Sequence, residues 1–581
     1  MRLPVAAIFV IVCVVSACSS ESSTPVDVAI DIAAADLPAA DAQGTDQAEV
    51  AADLPIDPPG LAIPLLPGPG QDGYDAELEK LARQYDRQFQ LFSAHPSAAN
   101  QDLTVDPLEE ANREAIRAFL QDGDGWDFEA ETGLKQTDVV TSWHKVAGLY
   151  GGVGMAADAY RYGVLRDQGY DAVEVERARE FLLRVLDGLH LATAITGVEG
   201  VIARGFIRTD VPGDGEHETL VPLFDESGSP LPEVKNNGVW RADNSGGLYP
   251  EYIWEDSCSR DQYIGWVAAA GAAWEVIRDD DTIPQTYKDR LQADAKALGH
   301  ALMVVRESGY DLELPDADGR TTLHGYMNEQ CIDSNVYVPG IRNGFHAAMA
   351  LGAVATWAYV SDDPELKSFL YDDLIATREL DMMPAEDMGV VNTGVGTNFS
   401  NFNMAFQGFW LAMRYVDSPA AVARLKQGLG KKLYDNGGTR QPREMKQSLF
   451  DFIYAASMAG SSAFGEMDRA LIDATALANG LETLSDFPLP PFWEYAVTNC
   501  DAEELATKKC VADNGMELDV IGESGWKGTL VCEQVIPMAI RPASNYYWRS
   551  DPYNPNGGGN GGRLIPAVDF RYAYWLGRWA R

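Results

Sequence analysis

Basic residues are scarce in this sequence and unevenly placed, with none from Leu3 to Glu79. Over 581 residues, 45 Lys and Arg face 87 Asp and Glu, a formal net charge of -42. Such a chain repels nucleic acid and anionic membrane surfaces, which argues against both as partners. A local arginine cluster still admits an anionic ligand. Histidine and cysteine are also few, seven of each. There is no C-x-x-C pair and no Cys/His ligand spacing, so neither a structural zinc nor any cofactor is expected. The nucleophile elbow G-x-S-x-G is missing. The glycines of "NPNGGGNGG" (554–562) do not join a strand to a helix as a phosphate loop would. "DGDGW" (122–126) and "DADGR" (316–320) lack the EF-hand spacing and read as turns.

The N-terminus has one basic residue, Arg2, before an apolar run of about thirteen residues, too short to span a bilayer comfortably. It ends in "VSAC", small residues before Cys18, which resembles a bacterial lipobox. The resemblance implies a signal peptide at 1–17, lipidation of Cys18, and anchoring in the bacterial cell envelope, at the outer membrane or cell surface. Residues 18–60 are rich in Ala, Asp and Pro, with Asp27, Asp31, Asp36, Asp41 and Asp46 at near-regular spacing. Like charges and few large apolar groups cannot offset the entropy of ordering, so this reads as a disordered acidic tether. After the signal and Cys18, five cysteines remain, and Cys500 and Cys510 bracket a loop suited to a disulfide.

From about residue 75 the helical period dominates. "HKVAGLYGGVGMAADAYRYGVL", "DQYIGWVAAAGAAWEVI" and "GFHAAMALGAVATWAYV" are apolar on nearly every side, as buried helices are. "EVERAREFLLRVLDGLHLAT" and "QTYKDRLQADAKALGHALMVVRESG" keep charged outer faces. Buried and amphipathic helices alternate along roughly a dozen segments. That pattern predicts an all-α fold, an (α/α) toroid of five or six hairpins over 75–581. "GVIARGFIRTD" (200–210) and "TLVCEQVIPMAI" (529–540) read as strands that pair in a small accessory sheet. Residues 481–565 read as a long irregular segment, a rim or lid over one end of the ring.

The densest polar stretch is "IWEDSCSRDQYIGW" (253–266). Read structurally, Ser259 and Gln262 form a capping box, with Asp261 in the first turn. Read functionally, Asp256 and Asp261 supply the paired carboxyl groups of glycoside hydrolysis, one protonating the leaving oxygen and one activating water or attacking. Trp254 and Tyr263 offer stacking faces, and Arg260 binds a hydroxyl or carboxylate. Glu329, Asp333 or Asp569 are candidates for the second carboxyl. Other loops share this composition: Arg208 in "GFIRTD", His324 in "HGYMNEQCIDSN", Asn398 in "NTGVGTNFSNFNMAF", and Trp548 and Arg549 in "ASNYYWRSDPYNPNGGGNGG".

The series "RGFIRTD", "DSCSRDQYIGW", "NFSNFNMAF" and "DFRYAYWLGRW" resembles bacterial proteins of the six-hairpin glycosidase-like superfamily, over residues from about 75 to 581. The resemblance implies a carbohydrate ligand at the open end of the ring. In its glucuronyl hydrolases the acid/base is an aspartate after an inner-helix aromatic, which Asp256 or Asp261 matches here. The expectation is an exported glycoside hydrolase, a monomer held to the membrane only through the Cys18 lipid. Two alternatives stay open. A polysaccharide lyase would need a base and a uronate-neutralising group from His144, His324, His346, Asn398 and Tyr546. A non-catalytic surface lipoprotein would bind glycan through the same aromatics.

Overall fold

In a computed structural model of the chain, residues 64–580 are described, except 100, 214–217, 230, 232–237, 334–335, 339, 341, 390, 393, 439, 460–465, 513, 524–529 and 543–550. Cys18, the signal segment and the whole of the tether lie outside the described residues, as do Tyr546, Trp548 and Arg549.

The fold is mainly helical, with several small sheets. Twelve helices carry the core: α1 (Ala76–Gln88), α2 (Gly148–Asp167), α3 (Ala172–Ala194), α4 (Arg260–Ile277), α5 (Gln285–Met303), α6 (Gly344–Ser361), α7 (Pro364–Ser368), α8 (Ser400–Tyr415), α9 (Pro419–Gly428), α10 (Ser448–Met458), α11 (Glu466–Ser485) and α12 (Val568–Trp579). The even-numbered helices are buried along most of their length, α6 with an apolar sequence on every side and α2 and α12 with buried charged residues among the apolar ones. Among the odd-numbered helices, α1, α3 and α5 bury one face and keep charged residues outside. Packing follows the chain: α2 lies on α4, α4 on α6, α6 on α8, α8 on α10, α10 on α12, and α12 returns to α2. Each odd helix lies against an even one, and α1, the first, packs on α12, the last.

Small residues let the buried helices approach. A Cβ at Gly152 of α2 would stand 2.0 Å from the carbonyl oxygen of Gly265 in α4, and one at Gly352 of α6 would stand 2.6 Å from that of Gly408 in α8. The C-terminal ends of three even helices are tied together. Glu275 of α4 accepts hydrogen bonds from Arg414 Nε (3.0 Å) and Tyr415 (3.2 Å) of α8 and from Trp579 of α12 (3.2 Å). At the opposite end, Leu149 N–H of α2 donates to Gln262 Oε1 of α4 (2.9 Å).

A four-stranded antiparallel sheet leads into this second end. Its strands are β1 (Val146–Ala147), β2 (Gly205–Arg208), β3 (Val239–Ala242) and β4 (Tyr252–Asp256), in the order β1-β2-β4-β3. The two strands expected to pair with each other do not. Gly205–Arg208 pairs within this sheet, whereas Leu530–Cys532 pairs with Glu517–Glu523. The 481–565 segment is not irregular: it holds strands Trp493–Thr498, Lys509–Val511, Glu517–Glu523, Leu530–Cys532 and Asn556–Leu564. Cys500 and Cys510 are joined in a disulfide, and Cys258, Cys331 and Cys532 are buried thiols. The "DADGR" stretch is a tight turn, with Asp316 N–H donating to the Arg320 carbonyl (2.7 Å). Among the described residues no helix is long and apolar enough to cross a membrane.

Candidate functional site

Strand β4 runs into α4 through three residues, Ser257, Cys258 and Ser259. Ser257 there takes the left-handed conformation (φ 67°), one that costs a non-glycine residue on the order of 1–3 kcal/mol and persists only where the surroundings impose it. The surroundings are specific. Ser257 N–H donates to Asp256 Oδ1 (2.9 Å), and Thr322 Oγ1 donates to the Cys258 carbonyl (3.1 Å). The predicted capping box does not form: Ser259 donates from Oγ to Asp261 instead, and Gln262 is drawn to α2.

Alternation along β4 sends neighbouring carboxyl groups to opposite faces. Asp256 faces Arg241, whose Nε donates to Oδ2 at 2.7 Å, and Oδ1 accepts from Ser257 and Ala317 (3.3 Å). Asp256 is thus buried and engaged through both oxygens. Glu255 faces the other way. Lys145 Nζ donates to both its oxygens (2.9 and 2.8 Å), and Arg204 Nε lies 3.6 Å away. Arg204 Nη1 then donates to Ser259 Oγ (2.8 Å), and Ser259 donates to Asp261. One run of contacts therefore joins Lys145, Glu255, Arg204, Ser259 and Asp261 at the start of α4. Trp240 is the cross-strand partner of Glu255, and Lys145 Nζ stands 5.7 Å from its ring. Asp261, Lys145 and Trp240 retain access to solvent, whereas Glu255 and Arg204 are buried.

The other sequence candidates scatter. Trp254 (0% exposed) donates to the Ala242 carbonyl, and Tyr263 (1%) accepts from Trp357 Nε1 at 2.8 Å. Both belong to the core, which corrects their reading as sugar-stacking residues, and burial pushes the Tyr263 hydroxyl well above its ordinary range. Arg260 is buried in the first turn of α4. Arg208 stands at the far end of β2 from Glu255, with Nε on Asp210 (2.7 Å). His144 adjoins Lys145 and shares a hydrogen bond with Thr104 Oγ1 (2.9 Å). His324 is half-buried on the strand Thr321–Tyr326, two residues from Thr322 and on the same strand face. Asn398 accepts from Ser400 N–H (3.2 Å) at the start of α8. Glu329 is held by Arg378, whose Nε donates to it (3.0 Å) and whose Nη1 donates to Asp311 (2.8 Å). Asp569 is buried in the first turn of α12, and His346 is fully buried with Nδ1 at 3.3 Å from the Asn328 carbonyl. Asp333 closes the strand Cys331–Asp333.

Lys145, Arg204, Glu255 and Trp240 were not singled out from sequence. The signal for Glu255 and Trp240 was period-2 alternation in two short strands, hidden because both read as loop. Among the described residues, the one trio with metal-ligand geometry is Cys500, Glu504 and Cys510, and its two sulfurs are consumed by the disulfide. No family model matches the chain, and no curated protein matches it.

Proposed function

We propose that the twelve helices form an (α/α)6 toroid and that the protein is an exported carbohydrate-active enzyme, a glycoside hydrolase of the six-hairpin type. The return of the helix contacts from α12 to α2 supports the toroid. The Glu275–Arg414 pair and its aromatic partners fill the C-terminal end, which leaves the N-terminal end of the even helices for a ligand.

The observation that carries the hydrolase reading is the connected set at that end: Trp240, Lys145, Glu255, Arg204, Ser259 and Asp261. Glycoside hydrolysis asks for two carboxyl groups flanking the bond to be cut. Asp261, half-buried and open to solvent, takes the role of acid toward the leaving oxygen. Glu255, clamped by Lys145 and Arg204, takes the role of base. Trp240 presents an apolar ring for a sugar face, and Lys145 beside it meets a hydroxyl or a uronate carboxylate.

The test is to incubate the purified protein with a panel of plant and bacterial polysaccharides and oligosaccharides, following reducing ends together with ultraviolet absorbance from new double bonds. New reducing ends without absorbance are expected. A rise in absorbance would replace the hydrolase by a lyase, and binding without turnover would make the protein a glycan binder.

A further inference from the structure

Two donors point at Asp261, and the sense of each is fixed by a bond elsewhere. Arg204 Nη1 donates to Ser259 Oγ (2.8 Å). A guanidinium has no acceptor, so Ser259 must accept there, and its single proton is left for Asp261 Oδ1. Gln262 Oε1 accepts from Leu149 N–H (2.9 Å), which turns Nε2 of the same amide toward Asp261 Oδ2 (3.3 Å). The reversed amide would set its oxygen against the carboxyl group and its NH2 against Leu149 N–H, so chemistry settles the orientation. Both oxygens of Asp261 thus face a donor. Ser259 and Gln262 are buried, and so is Arg204 behind them.

Neither residue does what its place in the helix would ask of it. Ser259 is the N-cap of α4 and Gln262 the third residue of its first turn, the two positions whose side chains ordinarily bind the free N–H groups of a helix end. Ser259 makes no side-chain cap bond, and Gln262 commits its amide to Leu149 and Asp261. Two side chains that forgo a cap to meet one carboxyl group mark that group as the one whose position matters. Asp261 lies in the same first turn, where the helix N-terminus favours negative charge.

We propose that Ser259 and Gln262 are positioning residues for Asp261, two donors of fixed sense that hold its carboxyl group and stabilise the negative charge left on it when its proton goes to the leaving oxygen. The inference rests on the hydrolase reading of the site. In that reaction Asp261 gives its proton to the leaving oxygen, which keeps the electron pair of the broken C–O bond. Glu255 takes a proton from the water whose oxygen bonds to the anomeric carbon. Asp261 ends as a carboxylate. Donors already aimed at its two oxygens stabilise that charge as it develops, with no rearrangement. Arg204 acts through Ser259, because a hydroxyl whose oxygen accepts from a cation is a stronger donor.

The test varies the leaving group, because help from an acid matters most where the group leaves poorly. Methyl and dinitrophenyl glycosides of the sugar that the panel identifies are offered to the wild type, Ser259→Ala, Gln262→Glu and Asp261→Asn. Gln262→Glu keeps the acceptor for Leu149 N–H and removes the donor to Asp261. On the methyl glycoside, kcat should fall about ten- to a hundredfold in Ser259→Ala and in Gln262→Glu, the loss of a hydrogen bond to a charged group, with KM nearly unchanged. On the dinitrophenyl glycoside, whose leaving group departs without a proton, both should match the wild type. Ser259→Thr restores the hydroxyl and should recover the rate on the methyl glycoside. Equal losses on both glycosides, or no loss on either, would overturn the proposal while Asp261→Asn keeps its dependence on the leaving group. A wild type without turnover, or an Asp261→Asn variant without that dependence, would end the hydrolase reading and this inference with it.

Discussion

Asp86 and Asp158 sit in a core that excludes water, and each is spoken for. Asp86 accepts from Arg571 Nε (2.7 Å) and Trp575 (3.2 Å) and pairs with Arg161 (3.0 Å), and Asp158 accepts from Arg571 (2.6 Å) and Gln90 (2.7 Å). Removing one partner of such a set strands a buried charge. Asp86→Ala should therefore cost about 3–5 kcal/mol, read as a lower urea midpoint. Asp451 poses the opposite case. It is fully buried, accepts from Tyr434 (2.6 Å), and has no cation bonded to it among the described residues, so burial raises its pKa well above the ordinary 3.8. The folded state then holds a proton that the unfolded chain releases, and stability falls as pH rises from the unfolded toward the folded value. Asp451→Asn keeps the acceptor and removes the titration. Its melting temperature relative to wild type should thus be higher at about pH 7 than at about pH 4. An equal difference at both pH values would contradict the burial argument. The site shows how far single residues were legible. The stretch 253–266 was found because its carboxyl groups, arginine and tryptophans crowd together. Glu255 was passed over for Asp256 because one-residue parity on β4, which decides the face, is invisible until the strand is recognised.

Helices were the most legible elements. The all-apolar sequence of α6 and the one-faced pattern of α3 announce buried and surface positions by period alone. Strands were not, and Asn556–Leu564 shows why. Its "NGGGNGGRL" has the composition of a loop, but it pairs with both Trp493–Thr498 and Leu103–Thr104. Glycine serves close approach there: a Cβ at Gly559 would meet the Glu494 carbonyl at 2.2 Å. Tertiary pairing overrides intrinsic propensity in such a strand. The same logic governs the helix seam at Gly152. Gly152→Ala gains helix propensity but forces α2 from α4, and it should destabilise the protein by at least about 1–3 kcal/mol in thermal or urea unfolding. A neutral or stabilising result would show that the two helices do not meet there.

At the scale of the whole molecule, the buried helices contact one another in a series that returns from α12 to α2, and the small sheet delivers Glu255 to the start of α4. The charge of -42 does not oppose this, because Lys145 and Arg204 supply local positive charge at the site. The central claim is that Asp261 and Glu255 act on a glycosidic bond and that Asp256 only holds the fold. The most direct measurement is turnover of the glycan found in the panel by Asp261→Asn, Glu255→Gln and Asp256→Asn, with binding measured beside it. The account predicts that the first two lose turnover by about 10²–10⁴-fold while still binding, as loss of an acid or base does. Asp256→Asn should lose stability and keep its turnover per folded molecule. Undiminished turnover in Asp261→Asn would contradict the account.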